Sequence, residues 1–118
     1  MNVRNRRERF VQYPLATRIG SIAADLARVA SSARHNPVNP IVDKMLTESL
    51  YFIEWTAAET EPEVATELVD IQRMIALWRK AWPEAQKYPA QRTLLSVQAK
   101  KWSDQILGYS GLLEEAES

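Results

Sequence analysis

Few side chains here could do chemistry. The chain holds one histidine, His35, and no cysteine. That rules out a thiolate nucleophile, a cysteine-held zinc or iron–sulfur centre and a disulfide framework. A lone histidine cannot build a multi-histidine metal site. Di-metal carboxylate bundles need Glu-x-x-His on two helices and a Glu from each of two others. His35 stands between Arg34 and Asn36-Pro37, which places it in a connection rather than on an inward helix face. Three glycines leave little material for a phosphate loop. The serines lack a histidine partner, and no nucleophile elbow occurs.

The carboxylates offer two patterns. Glu63, Glu67 and Asp70, with Glu59 ahead of them, recur at helical steps and share one face. That row borders the apolar stripe and reads as a solvated helix start. Glu48 and Glu54 lie in the most apolar segment, where burial would push a carboxyl upward; a partly exposed rim is the competing reading. No catalytic, cofactor-binding or metal-binding residue is expected, and the chain reads as a non-enzyme.

Helices must position whatever the chain does. Four prolines, Pro14, Pro40, Pro62 and Pro89, stand where apolar-periodic segments begin. Proline suits a helical first turn because its missing N–H had no partner there. Asn39 is an N-cap candidate, and Thr60 with Glu63 fits a capping box. The first stripe is Leu15, Ile19, Ile22, Leu26, Val29 and Ala33. The third is Val64, Leu68, Ile71, Ile75, Trp78 and Trp82, and the fourth is Leu95, Ala99, Trp102, Ile106, Tyr109 and Leu113. Steps of four and three keep each stripe on one face. The second segment carries two stripes. Val42, Leu46, Leu50, Ile53 and Ala57 form one; Ile41, Met45, Phe52 and Trp55 form the other. No strand alternation persists.

The spacing predicts an all-α, up-down four-helix bundle over residues 13–113, with helices near 14–34, 40–59, 61–82 and 89–113. Residues 83–88 are expected to form a loop. Residues 1–12 are expected to be a flexible basic arm, and 114–118 a frayed acidic tail. No apolar run has the length of a secretory signal or a membrane span, so a cytoplasmic protein is expected.

The 118 residues carry 15 basic and 15 acidic side chains, a formal net charge of zero. The zero hides a segregation. Residues 1–34 carry +5, 35–72 carry −7, 73–105 carry +5 and the remaining tail −3. Such blocks suit helix dipoles and neighbouring helices within one bundle, or complementary docking between subunits or with a partner. Candidate interaction residues are Gly20, Ala24, Ala27 and Ser31, a small-residue line that also includes Ala16, and Phe52 and Trp55 of the second stripe. Gly108 and Gly111 weaken the last helix, and would kink it, end it or admit a close backbone contact. Candidate anion or nucleic-acid contacts are Arg4, Arg6, Arg7 and Arg9, together with Arg79, Lys80 and Lys87 among the aromatics of residues 78–88.

The stretches Leu50–Ala57, Leu68–Arg73 and Trp102–Leu113 resemble a group of small helical proteins of unknown function associated with cyanobacteria. That resemblance covers residues 15–113 and implies no activity. More distantly, the arrangement is similar to the four-helix-bundle intervening-sequence and Avd-like proteins. It implies a helical bundle that forms ring-shaped oligomers with basic, nucleic-acid-contacting surfaces. The acidic 35–72 segment departs from such a basic ring. The expected function is a non-enzymatic protein-interaction or scaffolding module that self-associates as a homo-oligomer or binds another protein; the alternative is a nucleic-acid-binding accessory factor.

Overall fold

The computed structural model describes residues 2–35 and 40–117, with side chains as far as Gly111. It contains five α-helices: α1 (Val3–Phe10), α2 (Leu15–Ser32), α3 (Ile41–Glu54), α4 (Pro62–Ala85) and α5 (Pro89–Glu117). A 3-10 turn, Ala57–Glu59, links α3 to α4. No strand occurs among the described residues, and none of their helices is long and apolar enough to cross a membrane.

The prolines mark the starts as their chemistry dictates. Pro14 and Pro40 directly precede α2 and α3; Pro62 and Pro89 are the first residues of α4 and α5. The capping box at Thr60 does not form. Pro62 occupies the first helical position, so Glu61 becomes the cap residue and makes no side-chain cap bond. Thr60 closes the 3-10 turn instead, its hydroxyl donating to the Ala57 carbonyl at 2.6 Å. Asn39 lies outside the described residues.

Five helices replace the expected four. The additional one, α1, falls inside the stretch expected to be an arm. Asn2 caps it by accepting the Asn5 N–H at 2.9 Å, and Arg7 and Arg9 suit its C-terminal dipole. Its single buried side chain is Phe10, 6% exposed and stacked on Phe52 with ring centroids 3.9 Å apart. One anchor makes no periodic stripe, so spacing alone does not show it. The second predicted helix is cut short at Glu54, with the 3-10 turn taking up its end. Helix α4 continues through Pro83 to Ala85, where a loop was expected. Proline removes one hydrogen bond there, but Trp82 and Ala85 are both buried and hold the last turn in place. Helix α5 likewise runs through Gly108 and Gly111 into the segment expected to fray.

The stripes form the core. Ile19, Ile22, Leu26, Leu46, Ile53, Leu68, Ile75, Leu95 and Ile106 are fully buried. Helix α2 packs against α3 and α5, α3 against α4, and α4 against α5. The α2–α5 contact has its own sequence logic. Ser96, Ser103 and Ser110 are seven residues apart, two helical turns. Their hydroxyls donate to the carbonyls of Ala30, Ala23 and Ala16 at 2.5, 2.7 and 3.2 Å. Descending alanines meet ascending serines, so the helices run antiparallel. Small residues on both sides let the backbones approach closely enough for these bonds.

A second tie fixes the near end of α2. Arg18 is 4% exposed, and its Nε donates to the Tyr13 carbonyl at 3.0 Å. Its two terminal nitrogens grip both oxygens of Glu59 at 2.6 and 3.0 Å. This bidentate pair joins α2 to the 3-10 turn and holds the Glu59 carboxyl below its usual range, chiefly through the Arg18 hydrogen bonds. Replacing Arg18 with Met is expected to cost about 1–3 kcal/mol by denaturant unfolding, the range for charged hydrogen bonds. A loss below measurement error would show that the pair is ornamental.

Candidate functional site

Three helices converge on α3's second apolar stripe. Phe10 of α1 stacks on Phe52 and lies 6.0 Å from Trp55, ring centre to ring centre; Tyr51 stacks on Trp55 at 5.5 Å. Phe52 and Trp55, read from sequence as an interaction surface, are thus engaged within the chain. Both are half-buried, and α1 is the partner that their stripe was waiting for.

Beside this aromatic cluster a cleft of about 370 Å³ opens between α1, α2 and α3. Phe10, Tyr13, Thr17, Ser21, Ala24, Asp25, Arg28, Glu48 and Phe52 line it. Asp25 is 8% exposed, and its Oδ2 is fully buried without a hydrogen-bond partner. Burial pushes its carboxyl up to about 7, with a further push from Glu48; Arg28 and Arg6 pull the other way. Glu48 is itself held by Arg6 at 3.1 Å. Sequence reasoning singled out Glu48 but missed Asp25, counting it only as a charge. The signal was present: Asp25 sits one residue before Leu26, at the edge of the α2 stripe. Glu54, the other carboxyl singled out, is exposed and accepts from Gln72 at 3.0 Å.

The small-residue line divides. Ala16 belongs to the serine contact with α5, Gly20 is half-buried, and Ala24, Ala27 and Ser31 are exposed on α2. The alanines that meet α5 are instead Ala16, Ala23 and Ala30. Helix α5 exposes a row of its own, Leu94, Val97, Lys101, Asp104, Gly108 and Gly111. Among the described residues, a Cβ added at either glycine would meet nothing within 4 Å, and none has a left-handed backbone. Neither glycine ends the helix or serves a close contact with the described residues.

Four of the seven candidate bases are answered by acids. Arg4 pairs with Glu8 at 3.6 Å, Arg6 with Glu48, Arg79 with Asp43 at 4.0 Å and Lys87 with Glu84 at 3.0 Å. Arg7, Arg9 and Lys80 make no ion pair among the described residues. A cleft of about 540 Å³ brings Arg6 and Arg79 together with Lys44, although they come from separate basic segments.

The acidic row on α4 stays exposed, and Glu67 takes a hydrogen bond from the buried Tyr109 hydroxyl. Gln105 donates to the same phenol oxygen at 2.7 Å. Burial first, then the Glu67 bond, pushes the Tyr109 hydroxyl up to about 12. Among the described residues no three His, Asp or Glu side chains gather as a metal site. His35 is exposed in the turn after α2. In comparisons with known proteins, the chain matches no family model, no curated protein and no solved structure.

Proposed function

We propose that the chain is a non-catalytic, cytoplasmic interaction module that pairs with a second copy of itself along the outer side of α5. In this proposal the four longer helices form an up-down bundle, with α1 laid across it. The observation that carries it is the exposed α5 row. Leu94, Val97, Lys101, Asp104, Gly108 and Gly111 follow steps of three and four, the a and d positions of a heptad. The row is self-complementary when reversed. In an antiparallel pair, Leu94 faces Gly111 of the second copy, Val97 faces its Gly108, and Lys101 faces its Asp104. Large apolar side chains meet the two glycines, and a base meets an acid.

The glycines support this assignment because they cost the single chain something. Each lowers helix stability by about 1 kcal/mol relative to alanine, and nothing among the described residues requires them. A second helix seated there would use the space. Leu94 and Val97 are 48% and 40% exposed, enough apolar area to gain from cover. The seam spans about 27 Å, and its two-fold symmetry closes the assembly at two copies.

Sedimentation equilibrium at micromolar concentration is expected to show twice the 13.5 kDa chain mass. Gly108→Leu is expected to weaken the pair while leaving the fold at least as stable. Lys101→Asp is expected to weaken it and Lys101→Asp with Asp104→Lys to restore it. A monomer at every concentration, or a pair indifferent to all three variants, would overturn the proposal.

A second function, a nucleic-acid-binding accessory factor, draws support from Arg7, Arg9 and Lys80, which make no ion pair among the described residues. Its check is a salt titration of RNA or DNA binding, where affinity must fall steeply with salt; binding that ignores salt counts against it.

A further inference from the structure

We infer that the cleft between α1, α2 and α3 is a binding site for a small primary amine with an apolar tail, its ammonium group seated on Asp25. This goes beyond the α5 pairing and is independent of it, because the two surfaces share no residue.

Asp25 is nine-tenths buried and lines an open cleft, yet its Oδ2 has no donor. A buried carboxyl without a partner is costly, and structures rarely keep one unless something answers it. The surroundings define what would answer it. Glu48 adds a second carboxylate to the same cleft, but Arg6 already holds it at 3.1 Å. With Arg28 also in the field, the two acids and two bases cancel, which leaves no concentration of negative charge for a divalent metal and makes Asp25 the carboxyl still to be answered. The walls are aromatic. Phe10 and Phe52 stack, and Tyr13 is 56% exposed at the cleft. Aromatic faces suit both an apolar tail and a cation beside it. Thr17 and Ser21 supply hydroxyls, although Ser21 already donates to the Thr17 carbonyl at 3.1 Å. An ammonium brings three donors, which can serve the Asp25 carboxyl.

Protonation links the site to pH. Asp25 changes charge near pH 7, facing Arg28 on its own helix, Glu48 on α3 and Arg6 on α1. An ammonium prefers the carboxylate, so affinity rises with pH through neutrality, and binding below it releases the Asp25 proton.

The test is a titration of the full-length chain with 2-phenylethylamine, followed by amide chemical shifts of residues 17–28 and 48–52. Saturable binding at pH 8 is expected. It should weaken about tenfold or more in Asp25→Asn, the loss of one charge-assisted hydrogen bond, and similarly in wild type at pH 5. The neutral 2-phenylethanol, run in parallel, should bind no better than the Asp25→Asn variant binds the amine. Asp25→Asn removes a buried charge, so it is expected to fold. Absence of saturation, equal binding of amine and alcohol, stronger binding of magnesium than of the amine, or an unchanged affinity in Asp25→Asn each overturns the inference. Sedimentation of the same samples reads the α5 pairing separately.

Discussion

Asp25→Asn is expected to abolish a pH dependence of stability worth about 4 kcal/mol in the wild-type chain. The Asp25 carboxyl moves from 3.8 in an open chain to about 7 in the fold. Each unit of that difference is worth about 1.4 kcal/mol. Between those two values the folded state holds the proton and the unfolded state has released it. The folded state therefore binds more protons, and stability falls as pH rises through that window. The contribution is complete below about pH 4 and lost above about pH 7, where folding must bury a bare carboxylate. The fall arises chiefly from desolvation and secondarily from Glu48, with Arg28 and Arg6 offsetting part of it. Denaturant unfolding at pH 5 and pH 8, compared between wild type and variant, reads the upper two units of that window, a difference of about 3 kcal/mol. The difference matters because the Glu59 carboxyl, held low by Arg18, acts in the opposite direction: its stabilisation is present at neutral pH and is lost on acidification. Parallel pH profiles in wild type and Asp25→Asn would show that Asp25 ionises like an open carboxyl.

Two adjacent alanines should respond very differently to enlargement. Ala23 is 3% exposed and accepts the Ser103 hydroxyl at 2.7 Å through its carbonyl. A leucine there must enter the space between α2 and α5, and overpacking of that kind costs about 1–3 kcal/mol. It also spreads the helices, so the Ser96 and Ser110 bonds to Ala30 and Ala16 weaken with it. The cost of Ala23→Leu is therefore expected at or above the upper end of that range, about 3 kcal/mol. Ala24 is exposed, at the rim of the cleft between α1, α2 and α3. Ala24→Leu is expected to change stability by no more than about 0.5 kcal/mol, as surface substitutions generally do. Thermal and denaturant unfolding of both variants checks the pair. Equal losses would mean that the serine spacing does not set the helix separation.

The helices themselves were legible in the sequence because helix formation is local. Pro14, Pro40, Pro62 and Pro89 mark starts through a missing N–H, and the steps of four and three show which side of each helix avoids water. Ile19, Leu26, Leu68, Ile75, Leu95 and Ile106 are all buried as those steps require. The errors arose where local rules met a distant partner. Thr60 has the chemistry of a helix cap, but the proline two residues on fixed the helical start one position later. Pro83 has the chemistry of a break, but the burial of Trp82 and Ala85 outweighs one missing hydrogen bond. Phe52 and Trp55 have the spacing of a spare face, and only the return of Phe10 shows that the face is filled.

The candidate sites separate in the same way. The α5 row was half visible: Gly108 and Gly111 stood out as costly residues in a helix. That a Cβ on them would touch nothing among the described residues is a property of the packed helices. Asp25 was passed over as one acid in a basic segment, although it stands at the edge of the α2 stripe. The sequence by itself determined the helical segments, their apolar faces and the segregation of charge, because these depend on residues a few positions apart. The tertiary structure decided which carboxyl loses its water and which row of α5 stays uncovered. Burial and electrostatic field are sums over everything nearby in space, and for Asp25 those neighbours lie on three different helices.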